Sequence, residues 1–131
     1  MRSLCVVAFA LLAGPALASG TTDCEAPEDP AVFVHLSTTR AGGDILGILS
    51  AEFEAEGQAW STVEAEGKTP LLIAHSFLDA RTLIAEFTDP NVERIAVSLR
   101  LQRGATEDFY AEAGVLLIEG VGAWAVTCID G

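Results

Sequence analysis

The sequence predicts an α+β fold: a single small domain in which one amino-terminal helix packs on a curved antiparallel meander sheet. Apolar residues recur at helical spacing between residues 44 and 56, and short β-like runs separated by turn formers fill the chain after residue 57. A helix and a sheet of this kind bury their apolar faces against each other. The alternative is a small antiparallel β-barrel with one helix.

Residues 1–18 are typical of a secretory signal peptide. Arg2 supplies a positive start, Leu4 to Leu12 form a short apolar run, and Ala16 to Ala18 match the small-x-small pattern of signal peptidase sites. The apolar run is too short to span a bilayer, and no later run approaches that length. We therefore predict cleavage after Ala18 and a periplasmic or secreted mature chain without a membrane span.

The helix is predicted between Asp44 and Glu56. Residues 19–30 are rich in turn formers and are predicted to form an extended lead-in, and residues 31–36 alternate as in a first strand of a single domain that covers residues 31–131. Asp44 is a favourable N-cap, and Gly57 suits the helix stop. The residues that form the apolar stripe of this helix are Ile45, Ile48, Leu49 and Phe53.

The chain after Gly57 is predicted to be a meander of strands. The predicted runs are 58–65 (strand or helix), 70–77, 81–87, 92–101, 109–119 and 123–129. Residues 88–91 (TDPN) are the strongest turn signal. The strand–helix–meander order is the architecture of cystatin-like or NTF2-like rolls, and no motif assigns the chain to either family.

Two cysteines, Cys24 and Cys128, remain after the predicted cleavage. In an oxidising compartment the simplest arrangement is one disulfide between them. Because they lie near the two ends of the domain, this bond is predicted to tie the amino-terminal segment to the last strand.

The composition is strongly acidic. All 19 acidic residues lie after the predicted cut and Arg2 lies before it, so the mature chain would carry a net charge of −13, against −12 for the whole chain. Binding to nucleic acid or to an anionic membrane depends on lysine and arginine, so this charge argues against both. A basic partner protein is compatible with it.

The two histidines, His35 and His75, are the main candidates for chemistry, and each is followed by a serine within two residues. A hydrolase would combine a serine nucleophile, a histidine base and an orienting carboxylate. The candidates for these roles are Ser37, Ser76, His35, His75, Asp44 and Asp79. The chain has no Gly-x-Ser-x-Gly motif, so no catalytic residue is assigned and an enzyme is not the favoured prediction.

A metal or ligand site is a further possibility for His35 and His75. Together with Asp79 or Glu86 they would form a set of two histidines and one carboxylate. Nothing in the linear spacing brings them together, so these residues are candidates for ligand contact, and neither a metal nor a cofactor is predicted.

The loop before the predicted helix is a candidate for contact with an anion or a partner. It contains Arg40, Gly42 and Gly43, and free N–H groups at a helix start hold anions. Asp44 at the N-cap would compete for those N–H groups.

The favoured function is that of an exported, disulfide-stapled, non-enzymatic domain that binds another protein, as an inhibitor, immunity-type or accessory protein. Opposite charge on a basic envelope or extracellular partner would raise the association rate. The alternative is a small-ligand pocket between helix and sheet, lined by Phe53, Leu72, Ile84 and Trp124. A small hydrolase or metal-binding protein that uses His35 and His75 is a weaker alternative. The sequence does not determine the oligomeric state.

Overall fold

The structure is a computed structural model that describes residues 18–40 and 46–131. These residues form ten strands and no helix, and therefore no helix that could cross a membrane. Residues 1–17 of the predicted signal peptide lie outside this description. The strands are β1 (Ala18–Ala26), β2 (Asp29–Arg40), β3 (Leu46–Ala55), β4 (Gln58–Ser61), β5 (Thr69–Pro70), β6 (Leu72–Leu78), β7 (Thr82–Thr88), β8 (Ile95–Ala105), β9 (Tyr110–Ile118) and β10 (Gly122–Asp130).

All ten strands belong to one sheet in the order β5-β4-β3-β2-β1-β10-β9-β8-β7-β6. Neighbouring strands are antiparallel, except for the short parallel pair β4–β5. Strands β3 and β6 contact each other, so the sheet nearly closes into a barrel. The first and last strands pair at the centre of the sheet, and residues 19–30, predicted as a lead-in, supply most of β1 and the turn into β2.

The predicted α+β fold is wrong, because residues 46–55 of the predicted helix form strand β3. Ala51, Phe53 and Ala55 are buried, whereas Glu52 and Glu54 between them are not. This period of two is that of a strand with one face on the core. The other candidate fold, a small antiparallel barrel, is closer, although its helix is absent from the described residues.

A tight turn explains why β3 ends at Ala55. Glu56 and Gly57 both have positive φ, 52° and 71°, and Ala55 pairs directly with Gln58 on β4. Two consecutive residues of positive φ are the signature of a two-residue hairpin turn. Gly57 is therefore the second turn residue of a hairpin, where the sequence predicted a helix stop.

The predicted strands after Gly57 are confirmed in their order, with shifted boundaries. The run predicted at 70–77 lies in β5 and β6, and the run at 81–87 lies in β7. The turn at 88–91 is also confirmed, since the Asp89 carboxylate accepts hydrogen bonds from the backbone of Glu93 and Arg94. Strand β8 extends to Ala105, into the segment predicted as a polar loop.

The interior of the barrel is filled by side chains from alternate positions of the long strands. The rings of Phe53 and Phe87 meet edge to face across it, with centroids 5.1 Å apart. The leucines that are also fully buried are Leu36, Leu83, Leu99, Leu101 and Leu116. Burying such side chains is the main source of stability, at about 1.5–3 kcal/mol each.

The predicted disulfide is present. Cys24 on β1 lies directly opposite Cys128 on β10, and their sulfur atoms are 2.06 Å apart. The bond spans 104 positions of sequence. It therefore joins the first and last strands of the sheet, as the positions of the cysteines predicted.

Candidate functional site

The outer face of β1, β2 and β3 carries a polar patch centred on His35, which we call the His35 grid. Pairing places three rows of three residues side by side, and alternate residues of a strand share a face. The rows are Thr21, Ser37 and Ser50; Asp23, His35 and Glu52; and Glu25, Phe33 and Glu54. Among the described contacts, one cation bonds to this grid: the half-buried Lys68 donates a hydrogen bond from Nζ to Glu52 Oε1 at 3.0 Å. The grid is therefore acidic.

His35 has a defined partner on each side of its ring. Its Nδ1 lies 2.5 Å from Asp23 Oδ1, and its Nε2 lies 3.5 Å from Ser37 Oγ. The Phe33 ring lies parallel to the imidazole within 6°, with centroids 6.4 Å apart. An Asp23 carboxylate can only accept, so the proton of a neutral imidazole lies on Nδ1 and Nε2 accepts from the Ser37 hydroxyl.

A depression of about 270 Å³ lies beside Trp124 at one end of the barrel. The last registered pair of β1 and β10 at this end is Glu25–Thr127, and Trp124 lies beyond it. The indole packs against the core, and a Cβ on Gly122 would lie 2.8 Å from its ring. The absence of a side chain at Gly122 thus lets Trp124 hold this position. The residues that line the depression are Ala26, Pro27, Glu28, Asp29, Ala123, Trp124 and Ala125.

This depression combines an aromatic ring with two carboxylates. Glu28 is exposed, and Asp29 accepts a hydrogen bond from the backbone N–H of Ala31 at 3.1 Å, which orients its carboxylate. The negative face of an indole attracts cations, and adjacent carboxylates add to this attraction. The arrangement suits a lysine, arginine or small organic cation.

A polar cluster closes the opposite end of the barrel. It consists of Thr22, Arg103, Tyr110, Glu112 and Asp130 from β1, β8, β9 and β10. Arg103 contacts Glu112 Oε2 at 2.7 Å and Asp130 Oδ2 at 3.2 Å. The Tyr110 hydroxyl lies 2.7 Å and 2.9 Å from the same two oxygens. Thr22 donates to the other oxygen of Asp130 at 2.8 Å.

The two carboxyl groups of this cluster have pKa values that are shifted in opposite directions. Burial, reinforced by the negative charge of Asp130, raises the pKa of Glu112. Burial also opposes ionisation of Asp130, but hydrogen bonds from Thr22 and Tyr110 hold the pKa of Asp130 below its ordinary value. Glu112 Oε1 is buried and meets no other donor or acceptor. The unpartnered buried oxygen and the raised pKa both disfavour the ionised form of Glu112 relative to that of Asp130.

His75 and Asp79 lie on the β6–β7 hairpin. His75 is exposed on β6, directly opposite Glu86. The Asp79 carboxylate accepts hydrogen bonds from the backbone N–H groups of Arg81 and Thr82, both at 2.7 Å, so it forms the turn. Within the described part of the chain, no group of three or more histidine, cysteine, aspartate or glutamate residues could hold a metal ion.

The other predicted site residues are not brought together. Gly42, Gly43 and Asp44 lie outside the described residues, and of Arg40 only the backbone at the end of β2 is described. The pocket predicted between helix and sheet has no helix to form it within residues 18–40 and 46–131. Of the four residues predicted to line it, Phe53 is inside the barrel, Leu72 and Ile84 lie on β6 and β7, and Trp124 lines the depression at the end of the barrel.

Asp23 and the polar cluster were not predicted from the sequence. Asp23 falls in the segment predicted as a lead-in; as part of a strand it would alternate with Thr22 and Cys24 and face outward. Glu112 and Asp130 each occupy an inward position near a strand end, and a charged residue at such a position is the signal that alternation offers. Which charges meet depends on strand order, which the sequence does not display.

No protein-family model, no curated protein and no solved structure matches this chain. Its function must therefore be argued from its own residues.

Proposed function

We propose that this protein is an exported binding protein whose depression beside Trp124 receives a cationic side chain of a basic envelope or extracellular protein. The observation that carries this proposal is the depression of about 270 Å³ in which Trp124 stands beside Glu28 and Asp29. The Trp124 ring and the two carboxylates all attract a cation into the depression. The alanines that line it provide an apolar surface for the alkyl stem of a lysine.

The charge of the whole chain supports the same partner. A net charge of −12 raises the local concentration of cationic proteins and increases their association rate. Four of the seven basic residues, Arg81, Arg94, Arg100 and Arg103, lie on or beside β7 and β8. The β1–β3 side, where the depression begins, is correspondingly rich in carboxylates.

Export is part of this proposal and has two supports. The first is the signal-peptide pattern of residues 1–18, and the second is the disulfide between Cys24 and Cys128, which is compatible with an oxidising compartment. A periplasmic or secreted protein would meet its basic partner outside the cytoplasm.

Titration with N-acetyl-lysinamide, followed by the NMR signal of the Trp124 indole N–H, tests the cation site. The neutral analogue N-acetyl-norleucinamide has nearly the same shape and serves as the ligand control. We expect the lysine compound to shift the Trp124 signal and to leave that of buried Trp60 unchanged. An equal response to the neutral analogue, or no response, would contradict the proposal.

Two charge-matched variants locate the site. Glu28→Gln removes a carboxylate from the depression, and Glu107→Gln removes one from the exposed β8–β9 turn at the opposite end. An exposed ion pair contributes up to about 1 kcal/mol, so we expect E28Q to weaken lysine binding about two- to fivefold. E107Q should have a clearly smaller effect, and equal effects would indicate general charge attraction without a site.

The small-ligand alternative uses the same depression, and a lysine-rich peptide distinguishes it from a protein partner. If the partner is a protein, the peptide binds more tightly than the amide because the acidic surface of the domain also attracts it. Added salt then reduces the affinity for the peptide more than the affinity for the amide. If the amide and the peptide bind equally well per lysine, a small organic cation is the better assignment.

A further inference from the structure

We infer that Asp23, His35 and Ser37 form a nucleophilic site on the outer wall of the barrel, at which Ser37 accepts an acyl group from an activated ester. Asp23 binds His35 Nδ1, and His35 Nε2 faces the Ser37 hydroxyl. This is the order of contacts that activates a serine in hydrolases of several folds, where the arrangement is recognised by geometry and not by sequence position.

The sheet itself positions these three groups. His35 and Ser37 are two residues apart on β2 and therefore share the outer face. Asp23 is the direct cross-strand partner of His35 on β1. The Phe33 ring lies parallel to the imidazole, with centroids 6.4 Å apart. About a third of the His35 side chain remains exposed, so a substrate can reach it.

A second observation gives the serine a place for a substrate. A depression of about 290 Å³ lies beside Ser37, with Gly20, Thr21, Thr38, Leu49 and Gly131 as its other lining residues. Gly20 and Gly131 carry no side chains that would fill it. The β2–β3 pairing is irregular between Ser37 and Thr38, and Leu49, at this irregularity, is 61% exposed and supplies an apolar wall. The volume and this wall suit a short acyl chain.

The chemistry is an acyl transfer in two balanced steps. Ser37 Oγ attacks the ester carbonyl carbon while its proton passes to His35 Nε2, and Asp23 stabilises the resulting imidazolium. The bond to the leaving alcohol breaks, and that alcohol takes the proton from Nε2. A water molecule then attacks the acyl-serine with the same base, which releases the carboxylic acid and restores the serine.

The position on an open sheet face limits the substrate class. Strand β2 is paired on both sides, so its backbone N–H groups are committed to the ladder. Loss of one N–H donor for the oxyanion slows a serine hydrolase by about 100- to 1,000-fold. The site should therefore act on esters with good leaving groups, such as aryl esters, and slowly on alkyl esters.

The experiment combines p-nitrophenyl acetate hydrolysis with labelling by a fluorophosphonate, read by intact mass and peptide mapping. We expect one adduct, on Ser37, and its loss in Ser37→Ala together with a fall in ester hydrolysis of about 100-fold, the usual range for base-assisted catalysis. Asp23→Asn, which keeps Ser37, should slow labelling by about tenfold or more because it no longer selects the productive imidazole tautomer.

Three controls make the result specific. Ser50→Ala removes the hydroxyl directly opposite Ser37 in the same row of the grid, and Ser76→Ala removes the serine that follows His75. Both variants should label as the wild type does, and so should Glu107→Gln, which removes an exposed carboxylate from the β8–β9 turn. No adduct on the wild type, an adduct that survives Ser37→Ala, or equal loss in Ser50→Ala or Ser76→Ala would overturn the inference.

Discussion

The two ends of the barrel interior are closed by different chemistry. At the apolar end, Phe87, Val97 and Ile118 are neighbours across β7, β8 and β9 and are almost fully buried. At the polar end, the cluster around Arg103 takes the equivalent place. A single strand, β10, contributes Trp124 near one end and Asp130 near the other. Alternation thus decides which residues enter the barrel, and position along the strand decides which end they close.

Only one of these two ends makes a contribution to stability that depends on pH. Burial of apolar surface at one end does not involve protons. At the other end, the largely buried Arg103 contacts two carboxyl groups whose pKa values are shifted in opposite directions, so this contribution depends on protonation.

The disulfide gives the largest expected effect, because it joins β1 and β10, on which both ends depend. Closing a loop of about 100 residues is worth about 4–5 kcal/mol in the chain-entropy model. We expect the double variant Cys24→Ala, Cys128→Ala to lose most of that free energy of unfolding in urea denaturation. Fluorescence of the two tryptophans and circular dichroism should give one shared transition, whereas separate transitions would show that the ends unfold independently.

Arg103→Met is the sharpest test of the polar end. The substitution keeps an unbranched stem, which is shorter than arginine, and removes the guanidinium, so the buried Glu112 and the partly exposed Asp130 lose their cation. Breaking a buried ion pair in this way destabilises by about 3–5 kcal/mol. We expect a loss of that size by urea denaturation at pH 7 and partial recovery near pH 4, where the carboxyl groups can be neutral. A loss that is the same at both pH values would show that Arg103 acts mainly through packing.

Phe87→Leu is the matching test at the apolar end. It keeps an apolar side chain but removes part of the edge-to-face contact with Phe53 and leaves some space unfilled. The expected loss is roughly 1–3 kcal/mol, typical of core substitutions. Measured at pH 7 and near pH 4, this loss should be unchanged, in contrast to that of Arg103→Met. A strong pH dependence would mean that the two ends are coupled.

The apolar end and the strand meander are largely predictable from the sequence, because period-two alternation is a local signal. Strand β3 is harder, since Leu49 and Phe53 satisfy helical spacing while Ala51, Phe53 and Ala55 satisfy a period of two. Pairing with β2 and the Glu56–Gly57 turn favour the strand. Glutamates at every second position were the decisive local clue.

The candidate sites are less predictable, because they depend on long-range pairing. His35 and Ser37 are visible as a pair on one strand, but the carboxylate that completes them, Asp23, is set by the register of β1 against β2. The cluster that joins Thr22, Arg103, Glu112 and Asp130 depends on the first strand meeting the last. No hydrophobic pattern within either strand predicts that β1 pairs with β10. The two cysteines, one in each of these strands, do predict it.

Glu112→Gln gives the smallest and most specific effect, a change in the pH dependence of stability. The pKa of Glu112 is raised above its ordinary value of 4.5, so the folded chain holds this proton more tightly than the unfolded chain. The proton on Glu112 therefore contributes fully to the free energy of unfolding below the ordinary pKa of 4.5. This contribution is lost as the pH rises through the pKa of Glu112 in the folded chain. The lowered pKa of Asp130 acts in the opposite direction, and its contribution is lost as the pH falls through the folded pKa.

Glutamine imitates the protonated form of Glu112, because its amide can accept from Arg103 and donate to Asp130 at every pH. Urea denaturation from pH 4 to pH 8 should therefore show a shallower loss of stability with rising pH in Glu112→Gln than in the wild type. Glu107→Gln, which removes an exposed carboxylate from the β8–β9 turn, should keep the wild-type slope. If both variants keep that slope, Glu112 is ionised throughout this range and Arg103 alone balances the two carboxylates at the polar end.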